Sequence, residues 1–109
     1  MKIIRNKYIP FKGFRAINLF GILFVRGNAI INERTIRHET IHTAQMKEML
    51  YVFFYVWYLI EWLIRLFMKG NAYRNISFER EAYTNQDNLS YLRSRKRFDF
   101  VKYLKFDIK

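Results

Sequence analysis

The sequence predicts an α+β domain: a small N-terminal β-sheet, then an HExxH helix, a long apolar helix and a glutamate-bearing helix. Three observations carry that expectation. Residues 16–25 are a run of β-favouring side chains bounded by turn formers, residues 32–50 place polar and apolar side chains at helical intervals, and residues 49–68 are almost wholly apolar. A length of 109 residues predicts a single domain over residues 1–109, with a modest core. A 51% share of hydrophobic residues and no repeat exclude a disordered or solenoid chain.

The first element is Ala16 to Val25, AINLFGILFV, which lies between Arg15 and the turn signal Arg26-Gly27-Asn28 and reads as a strand. Residues 3–9 are its candidate partner, and Ala29 to Ile31 a short return strand. Read instead as a plain hairpin, the same run would use Gly21 and Gly27 as a bulge and a turn.

Asn32 then suits a helix N-cap. Its side-chain oxygen can accept an orphan amide hydrogen while Glu33 complements the positive helix end, so a helix is predicted from Glu33 to about Leu50. Within it lies His38-Glu39-Thr40-Ile41-His42, which holds the chain's only two histidines. Residues four apart share a helix face, with Cβ atoms roughly 5–6 Å apart, so both imidazoles can reach one zinc ion. Glu39 lands beside the ion without ligating it. There it can take a proton from metal-bound water, whose pKa zinc lowers towards about 7. His42, Gln45 and Met49 continue one edge of this helix from His38, with Glu39, Met46 and Leu50 on the neighbouring stripe.

The chain has no cysteine, which excludes a disulfide scaffold and thiolate metal sites, so a carboxylate must supply the third ligand. The candidate helix opens at Ser77, a suitable N-cap, and Phe78, Ala82, Leu89 and Leu92 recur at helical intervals as a buried stripe. Glu79 lies at the edge of that stripe and is the first choice of ligand. Tyr83 and Gln86 follow it along the same edge, able to face the HExxH helix as hydrogen-bonding side chains. Glu81 is the second choice and is expected to meet solvent or a lysine.

These two motifs, residues 38–42 and 79–83, resemble the gluzincins, metallopeptidases whose HExxH helix is followed by a separate helix bearing a glutamate ligand. Glu79-Arg80-Glu81-Ala82-Tyr83 looks like the ExxA part of the glutamate-helix pattern, and the small size is similar to the minigluzincins. The resemblance implies zinc held by His38, His42 and Glu79, Glu39 as general base, a peptide or protein substrate, and a peptidase that is active or latent. Tyr83 stands where the pattern often carries an aspartate, and offers a hydrogen bond without a charge. Tyr73, Arg80 and Tyr83 are the candidates for an oxyanion stabiliser or a supporting contact. An edge strand in such sites aligns substrate through main-chain hydrogen bonds, which singles out Asn18, Leu19, Phe20, Gly21 and Ile22 within residues 18–25.

Met49 to Met68 is the most hydrophobic stretch. Its length approaches the ~20 residues of a membrane span, but Glu61 and Arg65 fall inside it, and spanning would separate the two motifs. It is expected to be a core helix, a homo-oligomer contact, or an interfacial helix whose Trp57, Trp62, Tyr51, Tyr55 and Tyr58 favour a membrane boundary. Twenty Lys and Arg against nine Asp and Glu give a formal charge of +11, attractive to an anionic membrane surface and, less so without a recognised motif, to nucleic acid. Arg93-Ser94-Arg95-Lys96-Arg97, followed by Phe98, Phe100, Tyr103 and Phe106, is the densest basic run and is expected to be a solvated helix end with its aromatics tucked in. The opening MKIIRNKYIPF is too interrupted by charge for a secretory signal, so a cytoplasmic protein, peripheral at the membrane if it binds one, is the expectation. The competing function class is a non-enzymatic basic membrane-surface or nucleic-acid-binding module whose HExxH is incidental or structural.

Overall fold

The computed structural model describes residues 1–10 and 12–104, so Phe106 lies outside the described residues. The architecture is α+β, with a three-stranded sheet followed by helices. Strand β1 (Lys2–Asn6) pairs in parallel with β3 (Ile22–Arg26), and β2 (Ala16–Leu19) pairs antiparallel with β3, giving the order β1-β3-β2.

The expected single strand over 16–25 is therefore two strands. Phe20 and Gly21 both have positive φ, 52° and 88°, the signature of a two-residue type I′ turn whose twist matches the flanking strands. The turn closes on the pair Leu19 and Ile22. Alternation buries Leu23 and Val25 of the central strand completely. No return strand forms at 29–31; Arg5 Nη1 instead donates to the carbonyls of Gly27 and Ala29, each at 3.0 Å.

Helix α1 (Glu33–Glu48) starts as its sequence predicts, with Asn32 Oδ1 accepting from the Thr35 amide at 2.8 Å. It ends two residues before the expected Leu50. Leu50 and Tyr51 take positive φ, and the Tyr51 amide returns to the Met46 carbonyl at 2.7 Å, so the chain turns sharply before α2 (Val52–Arg65).

Helix α2 is 14 residues long, not 20, and its polarity is inverted. Glu61 and Arg65, its only charged residues, are 3% and 2% exposed, whereas Phe53, Val56, Leu59 and Ile60 face outward. Glu61 is held inside by partners. Arg65 Nη2 pairs with its Oε2 at 3.2 Å, and the Ser77 amide and hydroxyl donate to Oε2 and Oε1, each at 2.6 Å. Ser77 is thus not the N-cap: Ile76 occupies that position, and the carboxylate of Glu61 satisfies the start of the next long helix, where negative charge suits the helix dipole.

A short helix α3 (Ala72–Asn75) precedes α4 (Ser77–Asn85). Phe78 and Ala82 of α4 are fully buried, but the helix stops before the rest of the expected stripe, and Leu89 and Leu92 are exposed. Phe78 stacks on Phe54 at 4.4 Å between ring centroids and meets Phe100 at 4.5 Å; with Met46 and Ile76 these rings form the main core. Phe100 arrives from a 3₁₀ turn (Asp99–Tyr103) that follows α5 (Tyr91–Ser94).

The basic tail is only partly the solvated helix end its composition suggests. The Arg95 side chain is 5% exposed and lies between two carboxylates. It donates to Glu48 Oε1 at 2.7 Å and Oε2 at 3.0 Å, and to both oxygens of Glu81. Glu81 itself is fully buried, contrary to its expected solvent exposure, because Arg95 reaches it from 14 residues downstream.

Removing one member of a buried ion pair leaves an uncompensated charge, at a cost of about 3–5 kcal/mol. Arg95→Ala is accordingly expected to lower unfolding stability by about that amount, with Glu48 and Glu81 both stranded. Urea denaturation followed by circular dichroism measures it. A loss below about 1 kcal/mol, the scale of a surface ion pair, would show that Arg95 does not anchor the tail.

Candidate metal centre

Helix α1 presents His38 and His42 on one face, one turn apart, and α4 packs against that face with Glu79 in its first turn. All three side chains are buried. His38 Nε2, His42 Nε2 and Glu79 Oε1 stand 3.1 Å from one another in all three pairs. Ligand atoms ~2.0–2.1 Å from a tetrahedral ion are about 3.3–3.4 Å apart, so this triangle has nearly the size of one face of such a coordination shell. Of the described residues, these three are the His, Cys, Asp and Glu group able to hold a metal ion together.

The remaining ring nitrogens decide whether those Nε2 atoms are acceptors. Gln45, fully buried on α1, points its amide nitrogen at two acceptors: the Phe78 carbonyl at 3.1 Å and Glu81 Oε1 at 3.0 Å. Its Oε1 is therefore the atom facing His42 Nδ1 at 2.8 Å, and can only accept. His42 Nδ1 must carry the hydrogen, which leaves the Nε2 lone pair aimed at the centre. Gln86 faces His38 in the same way, its Oε1 lying 2.9 Å from Nδ1, which with the same tautomer leaves the His38 Nε2 lone pair at the centre; Arg37 Nε holds the Gln86 backbone carbonyl at 2.7 Å. Three acceptors thus face one another with no donor between them, an arrangement that calls for a cation.

In the absence of a metal the cation is a proton. Burial disfavours a charged His42, yet the Glu79 carboxylate beside it outweighs burial and raises its pKa to about 9. Burial likewise pushes Glu79 upward, but the charge and hydrogen bond of the protonated His42 beside it hold its carboxyl well below the usual range. The second oxygen of Glu79 accepts from Tyr58 Oη at 2.8 Å. Burial and the Glu79 charge raise the Tyr58 pKa, so it stays a phenol and a donor.

The centre opens on a cleft of about 300 Å³. Glu39, His42, Glu79, Tyr58 and Tyr73 line it, together with Ala16, Ile17, Asn18 and Leu19 of β2. Glu39 is half-buried there, and among the described residues its carboxylate has no hydrogen-bond partner. Since β3 is the central strand, β2 lies at the edge of the sheet, and its residues line the cleft.

The sequence-predicted residues are therefore brought together unequally. His38, Glu39, His42 and Glu79 meet; Glu81 is not a ligand but the partner that orients Gln45. Asn18 and Leu19 reach the cleft, Asn18 through its backbone, since its side chain ties β2 to the Glu39 carbonyl at 2.9 Å and to Thr43 Oγ1 at 3.1 Å. Phe20 and Gly21 form the turn, and Ile22 belongs to the paired central strand, so these three do not line the cleft. Of Tyr73, Arg80 and Tyr83, only Tyr73 lines it; Tyr83 instead packs edge-on against His38 with its ring centroid 4.5 Å away and carries the Arg74 guanidinium 3.8 Å over its face. Tyr58 lies on a long apolar run with nothing in its spacing to single it out, and Ala16 and Ile17 could be placed only once the hairpin was known.

No family model, curated protein or solved structure matches this chain.

Two outcomes follow for metal uptake. Outer partners of metal-bound imidazoles typically contribute 10–100-fold to affinity, so Gln45→Leu is expected to weaken zinc binding by that factor without abolishing it, whereas His42→Ala abolishes it at micromolar free metal. Competition with a chromophoric chelator measures both, and equal affinity in the wild type and His42→Ala would remove the site. Because His42 has its pKa raised to about 9, the metal-free protein carries a proton there at pH 7 that an ion must displace. His42 is expected to release about one proton per zinc at pH 7, beside any from metal-bound water, and none well above pH 9, so the wild type should release more at pH 7 than metal-bound water alone accounts for, measurable by titration calorimetry in buffers of different ionisation enthalpy.

Proposed function

We propose that the protein is a zinc-dependent hydrolase that cleaves peptide bonds in extended polypeptide segments. The observation that carries this reading is the triangle of acceptors at His38, His42 and Glu79, of which His42 and Glu79 line the cleft together with Glu39 and the edge strand β2. Two imidazoles and one carboxylate suit zinc among divalent ions, while magnesium and calcium favour oxygen ligands alone. Zinc bound there would act as a Lewis acid, polarising a carbonyl and lowering the pKa of a water molecule.

The chain's own groups supply the rest. Glu39 adjoins His38 on α1 and has its carboxylate free on the cleft side, where it can take a proton from the attacking water and return it to the leaving amine. Bonded pairs alternate along an antiparallel ladder. With Leu19 and Ile22 closing a two-residue turn, Leu19 and Ile17 bond to β3, while Ala16 and Asn18 direct their main-chain groups to the open edge. A peptide laid along that edge adds a strand and presents its carbonyls in register. At the turn end the edge is already closed, since Tyr55 Oη accepts from the Phe20 amide at 3.0 Å and donates to the Asn18 carbonyl at 3.3 Å.

Tyr73 is the donor we assign to the developing oxyanion. It lines the cleft, is 43% exposed, and burial together with the Glu79 charge raises its pKa, so it retains its hydrogen at neutral pH. The nucleic-acid reading of the basic run loses support from Arg95, whose guanidinium is committed inside the protein.

Glu39→Gln is the decisive variant, since the amide fills the same volume and cannot take a proton. Zinc stoichiometry and unfolding temperature should match the wild type, while cleavage of a mixed peptide library falls by roughly 10²–10⁴-fold. Equal turnover by the two proteins would exclude Glu39 as the base, and absence of bound zinc in the wild type would remove the reading altogether.

A further inference from the structure

The outer face of α2 has no role in the chemistry above, and among the described residues it is a broad exposed apolar surface. Phe53, Val56, Ile60 and Leu63 recur at intervals of three, four and three and are all exposed. In a paired coiled coil that seam would be flanked by charged positions, yet the flanks here are Leu59 and Ile64, also exposed and apolar. Both charges of the helix point inward. An apolar face this broad, with its charge buried, is matched to an environment without water on that side.

We propose that α2 seats in the surface of an anionic phospholipid bilayer, parallel to the membrane plane. Length sets the orientation: 14 residues at ~1.5 Å each give about 21 Å, short of the ~30 Å hydrocarbon core, and no helix among the described residues is long and apolar enough to cross a membrane. Charge selects the occupant. A second copy would bring two chains of net charge +11 together, whereas anionic headgroups neutralise that charge. Basic groups border the face where headgroups would lie. Lys69 is exposed four residues past its end, and Lys102, paired with Asp99 at 3.3 Å but with its side chain 70% exposed, belongs to the 3₁₀ turn whose following residue, Leu104, shares a groove with Trp57, Ile60 and Ile64 of α2. Apolar insertion and headgroup attraction add for helices at such interfaces.

Sedimentation of the 109-residue chain with vesicles tests this, using phosphatidylglycerol mixed into phosphatidylcholine and phosphatidylcholine alone. The wild type should pellet with the anionic vesicles, weaken but persist at about 0.5 M salt, where charge attraction is screened, and bind neutral vesicles at least tenfold less tightly. Leu59→Gln with Leu63→Gln should cut binding to anionic vesicles at least tenfold while leaving the unfolding temperature unchanged. If that pair lowers stability, Val56→Thr with Ile60→Thr carries the same expectation. No pelleting with anionic vesicles at low salt would overturn the proposal, as would equal pelleting of folded variants or complete loss of binding in salt. A concentration-dependent dimer that does not pellet would overturn it in favour of self-association.

Discussion

The buried Glu81 carboxylate fixes the candidate metal centre without touching it. Its oxygen settles which way the Gln45 amide faces, the amide settles which His42 nitrogen carries hydrogen, and the tautomer leaves Nε2 as an acceptor at the centre. Glu81 also draws in Arg95 and Tyr91, whose hydroxyl donates to Oε2 at 2.7 Å, so the same group that orients the site fastens the C-terminal segment over α1 and α4. A carboxylate so deeply buried is tolerable only because every one of these donors reaches it. Site geometry and tail placement are one constraint.

A parallel arrangement holds the other end of α4. Glu61 from α2 receives both Ser77 donors and Arg65, fixing where α4 begins and hence where Glu79, its third residue, stands relative to α1. Phe78 between them stacks into the aromatic core. The ligand is thus delivered by a helix anchored on either side of it.

The parts of this arrangement that are legible in the sequence are those written in local spacing. His38, Glu39 and His42 share a helix face by period alone, Asn32 caps as its side chain dictates, and Glu79 and Gln86 fall on one edge of α4 and the residue beyond it. Features that depend on distant partners were not legible. Glu81 looks like a solvated first-turn acid until Arg95 is brought to it, and Ser77 looks like a cap until Glu61 is. The position of the hairpin's turn is hidden because Phe20, an uncommon residue for the left-handed region, takes the first turn position where Asn or Asp would have announced it. Residues 49–68 read as one long helix because nothing in their composition marks the turn at Leu50 and Tyr51.

Helix α2 also works as a spacer. Tyr55 and Tyr58 on its inner side form part of the cleft wall, and the outer side is the apolar face, so only the thickness of one helix, ~10–12 Å with side chains, separates the two. On the function proposed above, a polypeptide held in the cleft would lie within that distance of whatever covers the outer face, and reach would then limit which segments could enter.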